Sequence, residues 1–157
     1  MPVVHLVCGV PGSGKSTLAS KLVTEFDAVR LCPDDWMVCS NIDLHDSVVR
    51  DLLETTQKKV GLMLLANGRD VVVEWGTWAA QERVEWVDAT NEAGFGVVAY
   101  FLNLPIDVVW LRIQRRNLEQ KPADRMTYEE VVEAFNIFQS PKVEELTKYV
   151  SVVTITA

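Results

Sequence analysis

Cysteine is scarce in this chain. The 157 residues include three, Cys8, Cys32 and Cys39, and no two of them have metal-ligand spacing. They read as reduced thiols, Cys8 and Cys32 within apolar strands, which excludes a disulfide framework and points to a cytoplasmic protein. Cys39 is either a thiol of the same kind or a reactive one beside a site. No apolar run reaches the ~18 residues of a membrane span. No signal peptide is visible, because His5 interrupts the apolar start. Positive charge is in deficit, 15 Lys and Arg against 22 Asp and Glu, for a net charge of -7. Such a chain is not expected to hold nucleic acid or an anionic membrane by its bulk field, and only a local basic patch could reverse that. Repeats, linkers and low-complexity segments are missing too. The expectation is one domain, residues 1–157, with one sizeable core.

What is present alternates. Short apolar runs at residues 3–8, 28–32, 71–73, 97–102 and 152–155 read as strands. Helical spacing at residues 15–26, 46–66, 79–93, 105–117 and 127–138 fills most of the gaps. The long helix at 46–66 is expected to bury Val49, Leu52, Leu53, Thr56, Val60, Met63 and Leu64 and to end at Asn67-Gly68. Thr127 to Glu130 is a capping box that opens the last helix. Residues 34–45 read as a loop or short turn. Strands and helices in alternation fold as a parallel sheet with helices on both faces, an α/β protein.

The most specific signal follows the first strand. Residues 9–16, Gly-Val-Pro-Gly-Ser-Gly-Lys-Ser, fit G-x-x-x-x-G-K-[ST], with Thr17 next. Gly9, Pro11, Gly12, Ser13 and Gly14 form a loop whose glycines let the backbone approach phosphate oxygens. Its N–H groups point inward as an anion nest, and the helix starting near Lys15 adds its positive end. Lys15 can reach the β- and γ-phosphates, and the Ser16 hydroxyl can ligate Mg²⁺.

Val-Pro-Gly-Ser-Gly-Lys-Ser-Thr at residues 10–17, Pro33-Asp34-Asp35-Trp36 after the second strand, and an Arg-rich stretch after the fourth resemble the small P-loop kinases. The branch is that of polynucleotide kinases, zeta toxins and chloramphenicol phosphotransferases, grouped as AAA-type ATP-binding proteins. The resemblance spans nearly the whole chain, and the P-loop is its specific part. It implies a three-layer P-loop NTPase sandwich, with a five-stranded parallel sheet in the order 2-3-1-4-5 and a short Arg-rich lid. It also implies ATP and Mg²⁺ as cofactors, a monomer or homodimer, and a kinase acting on a hydroxyl. In that family an Asp past strand two takes the acceptor's proton. Asp34 stands at the matching place with Asp35 as the alternative, and both are equally good turn or helix-cap chemistry. Glu74 closes the third strand where relatives carry an acidic residue on the Mg²⁺ side, usually Asp. It is either that group or a solvated strand end. Arg83 resembles an Arg often found on the following helix. The aromatic of the polynucleotide kinases is followed by an Arg, where this chain has Met37.

Arg112, Arg115, Arg116, Lys121 and Arg125 face only Glu119 and Asp124 across fourteen residues. The run is either a solvated face or a lid whose guanidiniums neutralise a transferring phosphoryl group. Arg112 and Arg116, one helical turn apart, are the candidates. Between Leu31 and Val49 there is no Lys or Arg. A phosphorylated acceptor would need such partners. The expected acceptor is therefore a small, non-phosphorylated, neutral or cationic hydroxyl compound, unless Arg50 or Arg83 points into the site. Trp36, Trp75 and Trp78 either wall that acceptor or fill the core. The N-K-x-D and D-x-x-G motifs of signalling GTPases are absent. Two other readings stay open: a nucleotide-binding switch with weak ATPase activity and no acceptor, and a toxin-like kinase acting on a nucleotide sugar.

Overall fold

The computed structural model describes residues 1–157. Five strands, β1 (Val3–Cys8), β2 (Val29–Leu31), β3 (Val71–Val73), β4 (Gly96–Leu102) and β5 (Ser151–Ile155), form one sheet in the order β2-β3-β1-β4-β5. Every pairing is parallel. Leu6 and Leu31 both pair with Val73, and Cys8 pairs with Phe101. That register brings the carboxyl ends of β1, β2 and β3 to one rim, where Gly9, Cys32 and Glu74 leave the sheet. After β1 the chain crosses to β2 at the sheet edge, fills in β3 between β2 and β1, then passes to β4 on the other side of β1. The reversal makes a crevice at the end of β1, the place where α/β sheets bind ligands.

The central strands are apolar on both faces because helices cover both. On one face Val4, Leu6, Cys8, Val71, Val73, Val97 and Ala99 pack with Leu65 of α3 (Ser47–Ala66) and Trp86 of α4 (Ala80–Glu92). On the other, Val7 and Val72 meet Ala19 and Leu22 of α1 (Lys15–Phe26). A third cluster joins Val10 to Val109 and Ile113 of α5 (Ile106–Glu119) and Val131 and Ala134 of α6 (Tyr128–Ile137). It holds the phosphate-loop segment against the helices that follow β4. The Thr127–Glu130 capping box opens α6, and Asp46 caps α3 by accepting the Val49 N–H at 3.0 Å.

Three local expectations change. Pro33–Cys39 is a helix, α2, where a loop was expected. Pro at its first position and two acidic residues in its first turn suit a helix start as well as they suit a turn. The long helix α3 is rotated from the face its leucines suggest: Leu52 is 63% and Met63 65% exposed, whereas Gln57, Gly61 and Leu65 are buried. Gly61 sets that phase, since a Cβ there would stand 3.1 Å from the Trp86 ring and 3.2 Å from Leu31. A short helix α7 (Val143–Leu146) precedes β5 and was not anticipated.

Candidate active site

The loop between β1 and α1 has the backbone its sequence requires. Gly12 and Gly14 take φ of 78° and 100°, values that L side chains rarely adopt. A Cβ on Gly12 would also lie 2.7 Å from Ile113 Cγ1, so α5 seats directly on the loop. Ser13 turns inward and donates its hydroxyl to the Val10 carbonyl at 2.7 Å. It therefore shapes the loop from within. Lys15 Nζ donates to the same carbonyl at 3.0 Å. Burial pulls the Lys15 ammonium below its usual pKa, and the Glu74 carboxylate opposes that shift.

From Ser16 a chain of contacts crosses the rim of the sheet. Its hydroxyl donates to Glu74 Oε1 at 2.5 Å. Glu74 is 7% exposed, so it is not a solvated strand end. Arg30 of β2 donates Nε to Glu74 Oε2 at 2.7 Å and Nη1 to Asp35 Oδ2 at 2.8 Å. Asp34, one residue earlier on α2, pairs through Oδ1 with Arg50 of α3 at 2.7 Å. From the lid side, Arg112 donates to the Ser13 carbonyl at 3.0 Å. Arg116 lies beside the Met126 sulfur at 3.3 Å.

These groups surround one cavity of about 880 Å³. Pro11, Gly12, Gly14, Lys15, Ser16 and Thr17 form its floor, and Arg112, Ile113 and Arg116 its lid side. Asp34, Arg50, Glu54, Glu82 and the segment Glu74 to Ala79 form the opposite half, with Ile137 and Gln139 closing it. A second hollow of about 440 Å³ lies behind the loop, lined by Gly14, Thr17, Leu18, Lys21, Leu104 and Arg112 among others. Arg112 borders both.

The structure brings together Lys15, Ser16, Asp34, Glu74, Arg112 and Arg116. Gly9 and Ser13 lie behind the floor, where a Gly9 Cβ would meet Ser13 Oγ at 2.6 Å. Three expected acceptor-side residues go elsewhere. Asp35 turns to Arg30 and does not line the cavity. Trp36 packs against the core cluster beneath α3 and α4. Arg83 is fully buried and does not face the site. It grips Glu145 with Nε to Oε1 at 2.6 Å and donates to the carbonyls of Thr77, Trp78 and Gln139. Its charge is consumed in fixing the β3–α4 loop to the end of the chain. That loop carries Thr77 at φ 43°, a strained value for a β-branched residue. Trp75 and Trp78 do line the cavity, and Trp75 Nε1 is anchored on Gln57 at 2.9 Å.

Sequence reading passed over Arg30, Glu54, Thr77, Glu82 and Gln139. It named Arg50 only as a residue that could upset the expectation of a cation-free acceptor side. Arg50 does line the cavity, so that side has one guanidinium. A signal for Glu54 existed: Arg50 and Glu54 are one turn apart on α3 and so share a face.

Comparison with known proteins places this geometry in a family. A family sequence model described as an AAA domain matches residues 4–137. The chain belongs to that family. No curated protein matches it. Among solved structures, this AAA-domain chain is similar to part of the Pnkp1/Rnl/Hen1 RNA repair complex, at 20% identity and TM-score 0.75, over 88% of this chain and 44% of that one. It is also similar to a gluconokinase from Sinorhizobium meliloti 1021, at 18% identity and TM-score 0.65, over 99% and 82% of the two chains. A third is the Mycobacterium tuberculosis APS kinase solved with AMPPNP and APS, at 18% identity and TM-score 0.68, over 98% and 88%. At such identities the likeness establishes the fold. No helix of this AAA-domain protein is long and apolar enough to cross a membrane.

Proposed function

We propose that the protein is a phosphotransferase that moves the γ-phosphoryl group of ATP to a hydroxyl of a small, non-phosphorylated molecule. One observation carries the reading: a single cavity has a phosphate loop with Lys15 and Ser16 on its floor, Arg112 and Arg116 above, and the Asp34 carboxylate on the facing wall. A nucleotide switch needs the first of these and not the other two.

The residues fit the groups they would hold. The left-handed glycines leave the loop N–H groups free to turn toward phosphate oxygens, and Lys15 is already partly desolvated beside them. The base and ribose take the second hollow, beside Thr17, Leu18 and Lys21. The Ser16 hydroxyl and the Glu74 carboxylate, in contact, are the oxygen donors suited to Mg²⁺ and its water. Bound there, Mg²⁺ would neutralise charge on the phosphate oxygens. Arg30 holds Glu74 in place for that task.

In the transfer, the acceptor oxygen attacks the γ-phosphorus. The bond to the β–γ bridging oxygen breaks, and that oxygen leaves with ADP. The hydroxyl proton passes to Asp34, whose Oδ1 is engaged by Arg50 and whose Oδ2 serves the hydroxyl. Lys15, Arg112 and Arg116 meet the charge on the phosphoryl oxygens. The test is acceptor-dependent ADP release. Wild type should release ADP much faster with an acceptor than without one, and Asp34→Asn should lose that increment alone. If release is slow and indifferent to every hydroxyl compound, the switch reading replaces this one.

A further inference from the structure

The two halves of the cavity carry opposite charge. Lys15, Arg112 and Arg116 face the side that takes phosphate. The facing half holds Asp34, Glu54 and Glu82 against a single cation, Arg50, which Asp34 already engages at 2.7 Å. Neither Glu54 nor Glu82 joins an ion pair. Burial, and then the neighbouring Glu82, hold the Glu54 carboxyl above its usual pKa range. Arg50 and Lys58 offset part of that repulsion, but the two carboxylates have no ion-pair partner of their own, an arrangement that a bound cation relieves.

The same wall is aromatic. Trp75 is 9% exposed and lines the cavity beside Trp78. Indole rings attract cations more strongly than other aromatic side chains do. A phosphorylated acceptor finds the reverse, with no free guanidinium or ammonium on its side.

We infer that the acceptor is a cation: a small hydroxyl compound bearing an ammonium group, seated by Trp75 and Trp78 with its charge against Glu54 and Glu82. The inference rests on the phosphotransferase reading for the role of the hydroxyl. The charge preference is a property of the wall and can be measured without transfer.

The test is equilibrium binding followed by tryptophan fluorescence, with a non-hydrolysable ATP analogue present. Choline is compared with its uncharged isostere 3,3-dimethyl-1-butanol and with glycerol phosphate as the anion. Choline should bind about tenfold tighter than the isostere, and glycerol phosphate weakest. Glu54→Gln and Glu82→Gln should each shrink the choline preference to about threefold or less while the analogue binds as in wild type, which also reports an intact fold. Equal or tighter binding of the isostere or the anion overturns the inference. So does absence of choline binding, or a preference that survives in both variants. Transfer of labelled phosphate to amino alcohols is scored separately. Cation binding that needs Glu54 and Glu82, with no hydroxyl compound ever phosphorylated, removes the phosphotransferase and leaves the cation site. Phosphorylation confined to neutral or anionic compounds keeps the phosphotransferase and overturns the cation.

Discussion

Replacing Arg83 with methionine should cost this fold more than any change at the cavity. Arg83 is fully buried and Glu145 is 4% exposed. The guanidinium makes two bonds to that carboxylate, Nε to Oε1 at 2.6 Å and Nη2 to Oε2 at 3.0 Å, and three more to the carbonyls of Thr77, Trp78 and Gln139. Its carbon lies 5.5 and 5.6 Å from the ring centres of Phe101 and Phe138. Methionine keeps most of the volume but leaves a buried carboxylate with only the Tyr149 hydroxyl, which donates to it at 2.7 Å. Removing one partner of a buried pair costs about 3–5 kcal/mol. At about 2–4 °C per kcal/mol for a chain of this size, Tm should fall by roughly 10 °C. Urea denaturation gives the free energy directly. The double variant Arg83→Met with Glu145→Leu should recover much of the loss, because paired apolar groups do not strand a charge. A loss below about 1 kcal/mol, the size expected of a surface pair, would refute the argument. So would a double variant no more stable than the single one.

Lys15→Ala should abolish binding of an ATP analogue and turnover together. Asp34→Asn should bind the analogue as wild type does and lose about 10²–10⁴-fold in transfer, checked by single-turnover kinetics. Gly61→Leu should destabilise by about 1–3 kcal/mol or more in urea, since a Cβ alone reaches 3.1 Å from Trp86. His5 is buried between Asp70 and Tyr100, and desolvation lowers its pKa below 6.5 although Asp70 pulls the other way. Its unfolded form then binds a proton first as pH falls, so its contribution is intact above about pH 6.5 and declines below it, by at most about 1.4 kcal/mol per pH unit. Unfolding free energies of wild type and His5→Gln, compared from pH 7.5 to 5.5, should converge towards the acid end, and parallel curves would contradict the assignment.

The parts of the fold that were legible are those with a local cause. Five apolar runs specify five strands, and the glycine spacing with Lys15 and Ser16 specifies the loop from sequence alone. The phase of α3 was not legible, because its exposed Leu52 and Met63 follow the helical period as well as a buried face would. Its true contacts depend on a polar residue, Gln57, and on the lack of a side chain at Gly61. Arg83 was expected at the site because it resembles an Arg often found on that helix in the family; its actual partner, Glu145, lies 62 residues on, out of reach of sequence reasoning. Arg30 escaped notice for the same reason, with Glu74 44 residues away. Pairings of that range exist only once the sheet is built. Pro33-Asp34-Asp35 gave the opposite difficulty, since the same residues start a turn and start a helix.

The most direct test of the central claim is mass spectrometry of a mixed library of hydroxyl compounds, including amino sugars, amino alcohols and nucleosides, incubated with ATP, Mg²⁺ and the protein. A library member that gains one phosphoryl group with wild type and not with Lys15→Ala is the predicted result. ATP bound and slowly hydrolysed at a rate no compound changes, with no phosphorylated product, would contradict the account.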